Sequence, residues 1–257
     1  MVKSNRRVRS VVALGLAIGL VVAACGSSNN NPLGNNPLGT GGNGNNGGGG
    51  GQSLSSGLAA NLDKLDSYQF SWQFTTTSSA ATAASTGALM TSGTVVNKPA
   101  KAYKISSLGM LQIIAIGDQG WSSFDGGNTW MVDASYSTSN DSLKSMLPTS
   151  LYGTNFDTNA TSFTVKGNES KNGVDCVHYQ GSTNLGAMGA IAGVNATFRS
   201  DLWVAKSGNY PVSGFYGWSG SAKGETGSWG YSFDITHAND AAANVVAQPA
   251  NVTAIPS

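Results

Sequence analysis

Tyr68, Phe70, Trp72 and Phe74 alternate with Gln69, Ser71, Gln73 and Thr75. A period of two puts the rings on one side of an extended chain and the polar groups on the other, so this stretch predicts a half-buried β-strand. Trp229, Tyr231, Phe233 and Ile235 repeat the pattern near the other end of the chain. A sheet carrying two such stripes has an apolar face that something must cover.

Between the stripes the same period returns at short intervals. It predicts strands near 87–97, 101–107, 110–116, 119–124 and 128–133, then near 161–168, 174–181, 196–205, 211–219 and 226–236. Gly117-Asp118 and Asp125-Gly126-Gly127 are hairpin turn signals between them. Gln119-Gly120-Trp121 and Asn128-Thr129-Trp130 form one hairpin with its two tryptophans close together. Consecutive strands with short turns imply an antiparallel meander of about 11 strands.

Two segments change period. Leu54, Leu58, Leu62 and Leu65 make one stripe of an amphipathic helix, capped by Ser55 or Ser56 and ending near Ser67. Asp141 is the expected cap of a short mid-chain helix with Leu143, Met146, Leu147 and Leu151 on one face, interrupted by Pro148. From Asp240 the tail is rich in Ala, Val and Pro and reads as extended.

The N-terminus sets the compartment. Lys3, Arg6, Arg7 and Arg9 precede an apolar run over 11–24, and Val22-Ala23-Ala24 meets Cys25. The run is the length of a secretory signal and short for a spanning helix. The residues around Cys25 resemble the lipobox of bacterial lipoproteins. That resemblance implies a signal peptide over 1–24, removed on maturation, and a diacylglyceryl group on the Cys25 thiol. Two or three acyl chains of the palmitate kind hold a protein stably on a bilayer. The mature chain is then extracytoplasmic and anchored to the cell membrane, or to the outer membrane if the cell has two. Residues 25–53 are rich in Gly and Asn and bury nothing. They read as a flexible tether whose typical reach is roughly 30 Å. The domain proper is 54–257.

Four of the 14 basic residues lie in the signal, leaving ten against 13 acidic ones, a net charge of −3. That balance argues against nucleic acid or an anionic lipid surface as the main partner. With Cys25 lipidated, Cys176 has no partner for a disulfide.

The sequence predicts no catalysis. Its only histidines are His178 and His237, and it has no His-Glu-x-x-His, no cysteine pair and no Gly-x-Ser-x-Gly. Cys176 and His178 share a strand face while Asp175 points away, the arrangement of a buried free thiol beside a satisfied histidine. Asp118, Asp125 and Asp133 flank turns, and no ligand cluster for a metal is seen. No cofactor is expected, and the chain reads as a monomer.

Several ordered patterns resemble the LolA/LppX-type lipoprotein superfamily over roughly residues 54–257. They are Leu62-Asp63-Lys64-Leu65-Asp66-Ser67-Tyr68-Gln69-Phe70, Lys98-Pro99-Ala100-Lys101-Ala102-Tyr103-Lys104-Ile105, and Gly120-Trp121 with Thr129-Trp130. Asp201-Leu202-Trp203-Val204-Ala205-Lys206 leading through Gly208 to Tyr210-Pro211-Val212, and Tyr231-Ser232-Phe233-Asp234-Ile235, complete the set. The resemblance implies a mainly β (α+β) half-barrel, a curved meander with the N-terminal and mid-chain helices across its concave face. It also implies a hydrophobic cavity that binds or carries lipid or acyl chains. Leu58, Leu62, Phe70, Trp72, Phe74, Trp229, Tyr231 and Phe233 are its expected lining. The same stripes serve equally as plain core beneath the helix over 54–65. In that alternative the half-barrel is filled by its own side chains and the protein is a surface or sensory lipoprotein. Trp121, Trp130 and Trp218, exposed on hairpins, would then meet a protein or glycan.

Overall fold

The computed structural model describes residues 57–78, 87–150, 162–182, 194–222 and 225–253. Twelve strands form a single sheet. The first block is β1 (Ser67–Ser78), β2 (Gly87–Val96), β3 (Ala102–Ser107), β4 (Leu111–Ile116), β5 (Gln119–Ser123) and β6 (Trp130–Val132). The second is β7 (Ser162–Lys171), β8 (Val174–Ser182), β9 (Val194–Ala205), β10 (Pro211–Ala222) and β11 (Glu225–Thr236), followed by a two-residue β12 (Val252–Thr253).

The spatial order is β12-β6-β5-β4-β3-β2-β1-β11-β10-β9-β8-β7. Two antiparallel meanders therefore meet at their first and last long strands. β1 pairs with β11 over ten register positions, including Phe70 with Ile235, Trp72 with Phe233 and Phe74 with Tyr231. The two sequence stripes, more than 150 residues apart, become neighbours on one face of a half-barrel sheet. β12 departs from the pattern, pairing in parallel with β6 through Val252 opposite Trp130. The tail is thus a turn at 240–243 followed by a strand, rather than extended throughout. Asp240 forms that turn by accepting from the backbone of Ala242 and Ala243.

The predicted N-terminal helix is broken. Among the described residues of that segment only α1 (Gly57–Ala60) is α-helical, and a 3-10 turn follows at Leu62–Lys64. Its bonds span three residues, from Asn61 N to Leu58 O and from Leu65 N to Leu62 O. Tertiary partners favour this tighter turn. The Asn61 side chain donates to Asn209 O, and the Asn97 side chain donates to Leu62 O and Leu65 O. Leu58, Leu62 and Leu65 are buried as the stripe predicted. Leu54, Ser55 and Ser56 lie outside the described residues.

In the mid-chain segment, α2 (Asp141–Lys144) is capped by Asn140, which accepts from Ser142 N at 2.8 Å, and not by Asp141. Asp141 occupies the first helical position instead. Leu143 and Leu147 are buried and Met146 packs beside them. Leu151 lies outside the described residues.

One core joins Leu58, Leu62, Leu143 and Leu147 to Tyr68, Phe70, Trp72, Ile105, Ile113, Leu202, Val212, Phe233 and Ile235. We call the strand face that carries it the inner face. Close approach is built in at Gly93, opposite Phe70 in the register, where a Cβ would lie 2.9 Å from the Phe70 ring. On the outer face Ile114, Trp121 and Trp130 form a second, smaller core, with Val246 and Val252 of the tail packed on it.

Candidate functional site

Alternation from the paired positions builds a band of rings on the inner face. Trp72 and Phe74 come from β1, Tyr231 and Phe233 from β11, Tyr216 and Trp218 from β10, and Phe198 from β9. Trp72 stacks on Phe233 with centroids 5.7 Å apart and planes at 10°. Phe74 tilts against Tyr231 at 4.6 Å, and Tyr231 stacks on Tyr216 at 5.2 Å. Phe198 meets Trp218 at 4.8 Å. Such offset and tilted pairs are the geometries that ring quadrupoles favour.

Burial falls off along the band. On β1, exposure is 1% at Tyr68, 4% at Phe70 and 6% at Trp72, and Phe74 is only half-buried. β11 and β9 repeat the trend, from buried Ile235 and Phe233 to half-buried Tyr231, and from buried Val204 and Leu202 to half-buried Phe198. The helical segments close the end of the sheet where β1 begins, through Asn97 and Asn209. At the opposite end Phe74, Tyr231 and Phe198 stay partly open, although Tyr216 and Trp218 of β10 are buried there.

None of the seven band residues carries a charge. Burial pushes the Tyr216 phenol above its ordinary range, with Tyr231 adding to the effect, and burial raises Tyr231 too. Both phenols stay neutral through the physiological range. The Trp218 indole N–H is buried and has no hydrogen-bond partner among the described residues. This surface is suited to hydrocarbon and to weak neutral polar contacts.

Of the expected lining residues, Leu58, Leu62, Phe70, Trp72 and Phe233 sit in the core, whereas Phe74 and Tyr231 reach the half-open end. Trp229 pairs in register with Thr76 and Trp218, but its side chain lies outside the described residues. Tyr216, Trp218 and Phe198 were not expected in the lining. Tyr216 and Trp218 do keep period two, but Phe215 next to Tyr216 masks the parity. Trp121, Trp130 and Trp218 are buried rather than exposed on hairpins. The first two are covered by the tail, which sequence periodicity does not place.

β8 carries the thiol and one histidine. Cys176 is buried, donates to Val174 O at 3.3 Å, and has its thiol pushed up mainly by burial. A thiol held protonated is the reverse of an activated nucleophile. His178 lies between two carboxylates, with Nδ1 2.6 Å from Glu169 and Nε2 3.0 Å from Asp201. It stacks on Trp203 at 4.3 Å, and Arg199 Nε donates to the other Asp201 oxygen at 2.9 Å. Both ring nitrogens are engaged, so the cluster braces β7, β8 and β9. Among the described residues no group of His, Cys, Asp or Glu is arranged to hold a metal. Asp201 is the hub, with its side chain 7% exposed. Asp201→Ala strands His178 and Arg199 and is expected to cost about 2 kcal/mol in urea unfolding, with Asp201→Asn costing about half of that. Equal stability of all three proteins would show that the brace contributes nothing.

Neither a family model nor a curated protein matches the chain. Among solved structures, LprF from Mycobacterium bovis is similar at 9% identity and a TM-score of 0.38, over 79% of this chain and 100% of that one. The lipoprotein LppX from Mycobacterium tuberculosis is similar at 14% identity and a TM-score of 0.32, over 71% and 95%. A putative outer membrane lipoprotein-sorting protein domain from Vibrio parahaemolyticus is similar at 10% identity and a TM-score of 0.20, over 65% and 85%. Likeness of this degree assigns no activity.

Proposed function

We propose that this chain is an extracytoplasmic, membrane-anchored lipoprotein that binds or carries lipid by sheltering acyl chains against its inner aromatic band. In this reading residues 1–24 are the signal peptide, Cys25 carries the lipid, 25–53 form the tether and 54–257 form the binding domain. The observation that carries it is the graded burial from Tyr68 to Phe74, mirrored on β11 and β9. A sheet that only filled itself would bury all of its inward rings, since each exposed ring forfeits about 2 kcal/mol of transfer free energy. Here Phe74, Tyr231 and Phe198 stay partly open, while Tyr216 and Trp218 beside them are buried. The alternative, a self-filled half-barrel presenting tryptophans to a protein or glycan, loses its motivating residues because Trp121, Trp130 and Trp218 are buried.

Native mass spectrometry of the protein purified from its own host tests the reading. The expected result is an added mass that organic solvent removes and that fragments as a lipid. Phe74→Asp at the open end is expected to lower the lipid-bound fraction at least ~10-fold, with unchanged circular dichroism. A bare protein mass, persisting after incubation with membrane extract, would overturn the proposal.

A further inference from the structure

Four large apolar residues stand exposed where turns of the first meander gather. Met90 is 49% exposed, Leu108 58%, Met110 66% and Phe124 62%. The backbone holds them together, because Leu108 N donates to Met90 O at 2.9 Å and Gly126 N donates to Met110 O at 3.4 Å. The Gln112 side chain donates to Gly126 O at 2.9 Å and ties the turn after β5 to the strand after Met110. Met90 pairs with Gln73, between Trp72 and Phe74, so this tip lies at the level of the aromatic band.

Leu108 is the telling residue. It and Gly109 are the central pair of the turn over 107–110 that joins β3 to β4, with φ of +56° and +71°. That is the turn in which Asn-Gly is favoured. A leucine held left-handed there costs roughly 1 kcal/mol, and it buries little in return. Neither turn chemistry nor packing accounts for it. The turns over 106–111 and 123–129 contain no Lys or Arg. Their one acidic group, Asp125, is bent back into its own loop, accepting from Thr129 Oγ1 at 2.6 Å and from Ser123 Oγ at 2.8 Å.

We infer that Met90, Leu108, Met110 and Phe124 form a docking tip that inserts into the headgroup–acyl boundary of an uncharged lipid bilayer. The chain outside the described residues supplies the reason for this occupant. In the proposed reading residues 25–53 are the tether that leads back to Cys25, and its typical reach is roughly 30 Å. With Cys25 anchored, the tip is confined near a bilayer at high effective concentration, so shallow insertion of a few side chains suffices. The inference leans on the anchor for proximity only, and is independent of what the aromatic band binds.

The test uses the lipidated full chain in phosphatidylcholine vesicles, labelled with an environment-sensitive dye at Asn128→Cys beside the tip or at Asp118→Cys at the opposite end. Cys176 is buried and Cys25 is blocked, so labelling is selective. Spin-labelled lipids are expected to quench the dye at 128 several-fold more than the dye at 118. Leu108→Asn with Met110→Asn is expected to lower that quenching at least ~5-fold. Leu108→Asn alone is expected to leave the melting temperature unchanged or raised, because it relieves the turn. Equal quenching at both positions would overturn the proposal, as would a shift that appears without vesicles and grows with protein concentration, the mark of a second copy. Failure to float with vesicles would remove the anchor and the docking together. A lipid-bound mass in native spectrometry stands or falls separately from all three outcomes.

Discussion

Trp72→Ala is expected to destabilise the protein by about 3–5 kcal/mol, read as a shifted urea midpoint with an unchanged slope. Trp72 stands at the seam where β1 meets β11, stacked on Phe233 and tilted against Tyr231 at 6.1 Å. It is the ring through which the core at the helical end joins the half-open band. Truncation leaves a void between two long strands that are separated by most of the chain, so neither can relax without disturbing the other's register. Trp72→Phe keeps the stacking and is expected to recover more than half of the loss. A Trp72→Ala protein as stable as the parent would mean that the seam is held by backbone pairing alone. The lipid-bound fraction of Trp72→Phe gives a second readout. It is expected to remain, because Trp72 is core and the open surface belongs to Phe74 and Tyr231.

Raising the pH above 10 is expected to unfold the protein cooperatively. Burial pushes the Tyr179 phenol from 10.0 up to about 12. Burial also raises Tyr68, with Asp63 and Tyr103 adding to it, and raises Tyr216 next to Tyr231. The folded state holds these phenols neutral while the unfolded chain releases their protons near 10. Their contribution is therefore whole below pH 10, and it is lost as pH rises through the folded values. The rise at Tyr179 alone corresponds to roughly 2 kcal/mol lost by pH 12. Tyrosinate absorbance and far-ultraviolet circular dichroism should change together between pH 10 and 12. A smooth titration near pH 10 with the circular dichroism intact would contradict this burial.

Much of the fold is legible from residue order. Period two at 68–74 and 229–235 specifies strands, because side chains of an extended chain alternate whatever surrounds them. The turn signals at 117–118 and 125–127 locate hairpins for equally local reasons, and Asp125 does cap its own turn. Cys176 beside a satisfied His178 also follows from alternation, although the partners Glu169 and Asp201 do not.

Only the tertiary structure decides which strands meet. A strand edge carries the same N–H and C=O groups whatever its sequence, so periodicity could not pair β1 with β11 across more than 150 residues. The inner band exists only through that pairing, and so do Tyr216, Trp218 and Phe198 as its members. The N-terminal helix gives way to a 3-10 turn after Ala60 for the same reason. Its leucine stripe is a property of the chain, but its 3-10 turn is set by Asn97 and Asn209, which the stripe does not contain. Amino-acid order determined the extended segments, the apolar face of each, and the residues that resemble a lipidation signal. Long-range hydrogen bonding and packing decided the strand order and which rings stay open, because those energies belong to pairs of distant residues and to neither one alone.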